Sequence, residues 1–204
     1  MLLLLDQSNP PMTSVLLALR KQLRLQRRQL NRFQQHQAEQ RCLQHLLRLP
    51  EYQSAQHIGL YLHAFGEVAT QALIWMCLKR GKTVYLPVIC NMNQQLRWVK
   101  LSTGLYRGKR FSRHPLGMQQ PMLPHSWPVS HLDLLVMPLL ACDTRGLRLG
   151  MGGGYYDRTL AHAPHRPFRL GLAHEFQWLN EQLPARAWDQ AIDALITPKR
   201  LRRF

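Results

Sequence analysis

The chain reads as an α/β protein: a single three-layer domain with a mostly parallel central sheet flanked by helices. Three observations predict this class. Short aliphatic runs at 58–62, 83–89, 132–140, 168–173 and 192–197 alternate with stretches of helical spacing, the order that builds a parallel sheet. The run at 132–140 is apolar almost throughout, as a strand covered on both faces is. The 204 residues, 46% hydrophobic and 19% charged, suffice for one ordinary core.

Taken in chain order, residues 1–14 are expected to be a disordered leader. Met1-Leu2-Leu3-Leu4-Leu5 lacks a basic start and has too few apolar residues before Asp6 for a signal peptide, and Asn9-Pro10-Pro11 ends it. Leu16, Leu19, Leu23, Leu30 and Phe33 recur at helical spacing among Arg20, Lys21, Arg24, Arg27, Arg28 and Arg32, which gives an amphipathic, strongly basic helix. A second helix is expected over 34–49, ended by Pro50. A strand over 58–62 leads into Gly66-Glu67-Val68-Ala69-Thr70, and a helix over 71–79 stops at Gly81. Strands follow at 83–89 and, with alternating polarity, at 96–101. Proline-punctuated residues 102–131 read as mostly irregular, and 132–140 as the central strand. The late strands at 168–173 and 192–197 enclose a helix at 176–183. Residues 199–204 read as a frayed basic tail, which leaves 15–198 as the domain.

The net charge of +16 favours anionic partners: nucleotides, polyanionic substrates or nucleic acid. The arginine-rich first helix has no aromatic interleaving, so specific nucleic-acid binding is not expected. No apolar run approaches the ~20 residues of a membrane span. Cys42, Cys77, Cys90 and Cys142 form no CxxC pair, which excludes a zinc knuckle and fits reduced thiols of a cytoplasmic protein. The ten histidines are scattered without an HExxH face. Gly81-Lys82-Thr83 imitates the end of a P-loop, but Met76 stands where the first glycine belongs, and a helix precedes it where a strand should.

The most informative stretch is Arg148-Leu149-Gly150-Met151-Gly152-Gly153-Gly154-Tyr155-Tyr156-Asp157, which follows the central apolar run and precedes a helical segment. Its glycines permit positive φ and bring bare N–H groups close to a ligand, and such groups attract phosphate. Arg148 adds a fork of donors, the tyrosines add flat faces and hydroxyls, and Asp157 adds a hard oxygen ligand. Tyr155 is not a glycine, so this is no dinucleotide fingerprint. Core packing is the competing reading for Tyr156, and a turn with Gly146 for Asp143.

With Met137-Pro138 and Asp143-Thr144-Arg145-Gly146-Leu147 ahead of it, this segment resembles the signature of the 5-formyltetrahydrofolate cyclo-ligases, also called methenyltetrahydrofolate synthetases. Gly66-Glu67-Val68-Ala69-Thr70, Leu116-Gly117-Met118-Gln119-Gln120-Pro121 and Gly171-Leu172-Ala173-His174-Glu175 are similar to further family elements. The resemblance implies conversion of 5-formyltetrahydrofolate to 5,10-methenyltetrahydrofolate, with ATP becoming ADP and phosphate. It places ATP against Arg20 and the loop Arg148, Leu149, Gly150, Met151, Gly152, Gly153, Gly154, Tyr155 and Tyr156. It places the folate against Leu62, Glu67 and the same loop from Met151 to Tyr155, and makes Arg148, Tyr155 and Asp157 the catalytic group. Magnesium would lie on Asp157, with Asp193 as a second carboxylate unless Asp193 is a cap or an ion-pair partner. A family lysine four residues before Arg20 is replaced by Leu16, so Lys21 or another basic residue would substitute. Gln120 stands where glutamate is usual and is expected to serve the fold. A monomer acting on small molecules is the expectation. The alternatives are another substrate on the same scaffold, or a basic protein that binds RNA weakly.

Overall fold

A computed structural model of the protein describes residues 12–204 apart from 109–110, 116 and 123–124. In chain order the elements are α1 (Met12–Gln29), α2 (Arg32–Leu47), α3 (Pro50–Ser54), β1 (His57–Gly59), α4 (Gln71–Lys79), β2 (Thr83–Cys90), β3 (Gln95–Leu101), α5 (Thr103–Arg107), β4 (Phe111–Arg113), β5 (Gln119–Pro121), β6 (Leu134–Pro138), β7 (Ala141–Cys142), β8 (Arg148–Leu149), α6 (Tyr155–Leu160), β9 (Phe168–Leu172), β10 (Ala194–Ile196) and β11 (Leu201–Arg203).

The central sheet has seven strands in the order β11-β10-β9-β6-β1-β2-β3. The inner strands run parallel, and the edge strands β3 and β11 pair antiparallel with β2 and β10. Period-two alternation sorts its side chains into two cores. Leu134, Val136, Ala194 and Ile196 point to one face with Leu46, Tyr52 and Ile74 of α2, α3 and α4. Leu135, Met137 and Leu195 point to the other with Trp98, Leu132 and Leu160. Burying each such leucine or isoleucine contributes about 1.5–3 kcal/mol. This is the expected three-layer α/β arrangement.

From β1 the chain first builds outward through β2 and β3, then returns to the far side of β1 with β6 and continues through β9 and β10. The order therefore reverses between β1 and β6. A crevice opens beyond the carboxyl ends of the strands at such a reversal. Helix α1 packs over that end through Leu16 and Leu23, against Leu140, Ala141 and Leu149 of the β7–β8 hairpin and against Leu183.

The structure corrects several expectations. The leader falls largely on residues 1–11, outside the described residues, and from Met12 the chain is helical. Phe33 belongs to α2 and is 73% exposed, because the Asn31 side chain accepts from the Gln34 N–H and the Gln34 side chain from the Asn31 N–H, a capping box that restarts the helix. Pro50 opens α3 instead of only ending α2, since a first-turn proline gives up an N–H that has no helical partner. Strand β1 stops at Gly59, well short of residue 62. Residues 102–131 contain α5, the β4–β5 hairpin and a 3₁₀ turn at Val129–His131. The glycine loop leaves β8 rather than the central strand directly. No α-helix forms over 176–183, only a 3₁₀ turn at Glu175–Gln177. Beyond that turn, Leu179 N–H donates to the Cys142 carbonyl, Leu183 N–H to Asp143 and the Gln177 amide to the carbonyls of Leu139 and Leu140, so the segment bonds mainly to its neighbours. The basic tail is ordered: β11 extends the sheet, Arg203 grips Glu51 through two hydrogen bonds of 2.7 and 2.9 Å, and Arg202 reaches Glu175 at 3.0 Å.

Candidate active site

At the reversal point lies a cleft of about 1130 Å³, larger than the ~300–1,000 Å³ common for one ligand. Tyr61 and Leu62 beyond β1, Pro138 and Leu139 at the end of β6, α1, and the glycine loop line it.

The loop is held by its carbonyls. Arg20 Nε donates to the Gly150 oxygen at 3.0 Å, Arg24 to Met151 at 3.4 Å and Arg158 to Gly153 at 2.6 Å, while the Arg158 N–H takes the Gly154 oxygen at 3.0 Å. Residues 20, 24 and 27 share one helical face, which is why α1 can supply this row. Among the described residues, none of the N–H groups of Gly150, Met151, Gly152, Gly153 and Gly154 donates to another protein group. Gly152 and Gly154 have φ of +106° and +65°, open to glycine and strained for other residues. A Cβ on Gly153 would lie 2.6 Å from the Tyr155 ring. The result is a concave run of free donors, the form of a phosphate nest.

At the end of the loop, Arg148 Nη1 pairs with Asp157 Oδ1 at 3.0 Å, and the Gln190 N–H donates to that same oxygen at 3.1 Å. Among the described residues the second oxygen of Asp157 has no protein partner. The Arg148 guanidinium is buried and lies 5.7 Å from the centre of the Tyr156 ring, and Arg158 lies 5.2 Å from that of Tyr155. Both tyrosines line the cleft and also pack against the core, so Tyr156 belongs to both at once. Burial drives the Tyr156 hydroxyl well above its usual pKa, which keeps it neutral.

Glu67 is presented by a tight turn whose two central residues, Phe65 and Gly66, have φ of 53° and 76°. Its carboxylate accepts the Ala64 N–H at 3.0 Å, and the Glu67 N–H returns to the Ala64 carbonyl at 3.0 Å. A Cβ on Gly66 would stand 2.6 Å from the Arg27 carbonyl, so the turn sits directly against α1. The ring of His174, buried, donates from Nε2 to the Gly66 oxygen at 3.0 Å, and burial lowers its pKa to about 4, which leaves it neutral. Burial pushes Glu67 up to about 7 despite the Ala64 N–H and the Arg27 guanidinium 3.6 Å away.

The structure thus brings together Arg20, Leu62, Glu67, the loop from Arg148 to Tyr156, and Asp157. It leaves Asp193 out. That carboxylate lies just before β10, accepts the Arg169 N–H at 2.6 Å and is not in the cleft wall. It serves as the latch of a strand start. Asp143 is a turn residue, fully buried and accepting from the N–H groups of Arg145, Leu147 and Leu183. No group of three or more His, Cys, Asp or Glu side chains gathers among the described residues. Cys142 is inert, its thiol pushed up to about 12 by burial and then by Asp143. Leu16 is in the cleft wall where a lysine was expected; Lys21 faces solvent, and the basic groups available there are Arg24 and Arg186. Sequence reasoning missed Arg27, Arg158, Phe65 and Trp188 as cleft residues, and it assigned to the fold Gln120, which also lines the cleft. Only the helical spacing of Arg20, Arg24 and Arg27 could have signalled any of these.

Comparison with known proteins identifies the family. Residues 13–198 match the 5-formyltetrahydrofolate cyclo-ligase family. The 5-formyltetrahydrofolate cyclo-ligase of Haemophilus influenzae is 38% identical over 178 residues, which cover 84% of this chain and 91% of that protein. That of Escherichia coli K12 is 34% identical, with 88% of this chain and 98% of that protein covered. The solved 5,10-methenyltetrahydrofolate synthetase of Aquifex aeolicus superposes with a TM-score of 0.79 at 28% identity, over 93% of this chain and 92% of that one. The family match runs from α1 to β10 and so includes every wall of the cleft: this chain belongs to the 5-formyltetrahydrofolate cyclo-ligase family.

Proposed function

We propose that the cleft under α1 is where this enzyme carries out its family's reaction, the ATP-dependent conversion of 5-formyltetrahydrofolate to 5,10-methenyltetrahydrofolate with release of ADP and phosphate. One observation carries the assignment. The glycine loop has its carbonyls tied to arginines and its N–H groups free, and it lies beside a slot that ends in a carboxylate, Glu67.

The formamide oxygen of the substrate is a poor leaving group. In the reaction it attacks the γ-phosphorus of ATP, the bond to the β-phosphate oxygen breaks, and its electron pair leaves on ADP. The neighbouring folate nitrogen then attacks the formyl carbon and gives its proton to water. The carbon–oxygen bond breaks, and the pair leaves on phosphate. Positioning and charge neutralisation are the protein's contribution to such a sequence. In this reading the N–H groups from Gly150 to Gly154, with Arg20 and Arg148, hold the triphosphate. Leu62 and Tyr155 sandwich the folate, and Glu67 accepts from its amino-pyrimidine edge. The Arg148–Asp157 pair orients both groups at the end of the loop.

The unpartnered oxygen of Asp157 suits Mg²⁺, which takes one or two carboxylates and completes its shell with phosphate oxygens and water. Bound there, the ion would neutralise phosphate charge; Asp193 is not among the residues that line the cleft, so the proposal places the ion on Asp157. A single domain from α1 through β11, which passes the expected bound of 198, a monomeric state and a cytoplasmic location belong to the same proposal. The one seven-stranded sheet supports the single domain and the free cysteines the cytoplasmic location; among the described residues no helix is long and apolar enough to cross a membrane.

The test is a spectrophotometric assay with 5-formyltetrahydrofolate and Mg²⁺, with and without ATP, following the near-ultraviolet band of the methenyl product. An ATP-dependent rise supports the assignment. No rise from folded protein that binds ATP would turn the scaffold to another substrate.

A further inference from the structure

Arg27 is a fully buried charge that is poorly satisfied. Its side chain is 1% exposed, yet Nη1 stands 3.6 Å from Glu67 Oε1, Nη2 stands 3.8 Å from the Met151 sulfur, and Nε has no partner. A guanidinium carries five donors, a thioether is a weak acceptor, and 3.6 Å is beyond a good hydrogen bond. Burying a cation in that condition is costly unless acceptors arrive. Arg169 shows how the same protein treats an arginine that serves only the fold. It is 8% exposed and donates to the carbonyls of Ala163, Pro164 and Ala191 at 3.0, 3.3 and 3.4 Å.

The position of Arg27 is as telling as its lack of partners. Glu67 lies on one side of it and Met151 of the glycine loop on the other. It therefore stands where the two substrate sites meet. The Met151 residue is 44% exposed, so its flexible side chain has room to move off the guanidinium.

We propose that Arg27 is a catalytic residue that receives the transferring phosphoryl group, with the Met151 thioether covering its guanidinium until both substrates are bound. This rests on placing the folate at Glu67 and the triphosphate at the glycine loop. As the phosphorus passes from the β-phosphate oxygen to the formyl oxygen, charge is spread over its three equatorial oxygens, and a planar fork can meet two of them. No proton moves in that step. The fork serves the transition state more than either ground state, so its loss falls on kcat.

The experiment uses the full-length enzyme with Arg27→Gln and Arg27→Lys, each checked by thermal unfolding. Arg27→Gln is expected to lower kcat by about 100-fold or more while KM for ATP and for 5-formyltetrahydrofolate changes by no more than about threefold. Calorimetry with ADP, Mg²⁺ and aluminium fluoride in the presence of 5-formyltetrahydrofolate, a mimic of the phosphoryl in flight, is expected to show tight binding to the wild type and its loss in Arg27→Gln, with binding of ADP alone retained. Arg27→Lys keeps the buried charge and the fold but not the fork, and should fall between. A wild-type kcat in either folded variant overturns the proposal. So does a loss confined to KM for the folate and reproduced by Glu67→Gln, for then Arg27 would only be neutralising Glu67. Should Glu67→Gln leave that KM unchanged, the folate placement fails by itself, and the kcat and aluminium fluoride results still decide the role of Arg27.

Discussion

Two sets of carboxylates in this protein are treated in opposite ways. Asp133, Asp143 and Asp193 lie outside the cleft and are occupied by backbone donors: Asp133 by the N–H groups of Gln56 and His57, Asp143 by three, Asp193 by that of Arg169. For Asp133 and Asp143 burial alone would raise the pKa, but the donors more than offset it and hold both carboxyls below their ordinary range. In the cleft, Glu67 has one backbone donor and a distant arginine and is pushed up to about 7 by burial, and Asp157 keeps one oxygen free. The lesson concerns where unsatisfied polarity is kept. The backbone donors on Asp133 and Asp143 are enough to hold those acids below their ordinary range, while Glu67 in the cleft is left short of partners, as a group awaiting a ligand is.

The comparison is broken most severely at Asp143. Replacing it with Ala leaves three N–H groups without their acceptor, that of Leu183 buried and the other two partly so, and takes the carboxylate from the Arg145 guanidinium. A loss of about 3–5 kcal/mol is expected in denaturant unfolding, with unchanged kcat per folded molecule. A variant that stays stable but loses kcat would move Asp143 into the catalytic set.

Glu67→Gln should act in the reverse sense. KM for 5-formyltetrahydrofolate is expected to rise about tenfold, the scale of one charge-assisted hydrogen bond. Stability should improve. The folded pKa of about 7 lies above the ordinary glutamate value of 4.5, so the wild type loses stability as the pH climbs between them. The neutral variant is then the more stable above about pH 7, by up to about 3 kcal/mol, and the gain fades toward pH 4.5. Unfolding curves at several pH values would show it. A variant less stable at every pH would make Glu67 another latch.

The smallest effect is expected at Glu51, whose pair with Arg203 is partly exposed. Glu51→Gln should cost no more than about 1 kcal/mol and leave activity alone. Proteolysis of the C-terminal strand would reveal any larger role.

The part of this legible in the sequence follows a physical division. Local signals were sufficient for α4, whose span from Gln71 to Lys79 follows from its periodicity and from Gly81, and for the glycine loop, since few structures need that density of glycine ahead of two tyrosines and an aspartate. Signals between distant residues were not. The tail looked frayed because an arginine-rich end resembles solvent-loving chain; its partners Glu51, Glu175 and Trp178 come into reach only in the fold. Asp157 and Asp193 were both read as metal ligands, Asp193 as the second and with a cap or ion pair as its alternative, and only topology puts one in the cleft and the other at a strand start. Arg27 was hidden among the other basic residues of α1, since nothing in its spacing tells that Gly66 would close the helix face over it.

The most direct test of the account is the ATP-dependent methenyl absorbance assay on Asp157→Asn beside the wild type, with thermal unfolding of both. The amide keeps the shape and an oxygen for the Gln190 N–H, but loses the charge that pairs with Arg148 and would hold the metal. The account predicts a fall in kcat of about 100-fold or more at nearly unchanged stability. An Asp157→Asn enzyme that turns over at the wild-type rate would contradict it.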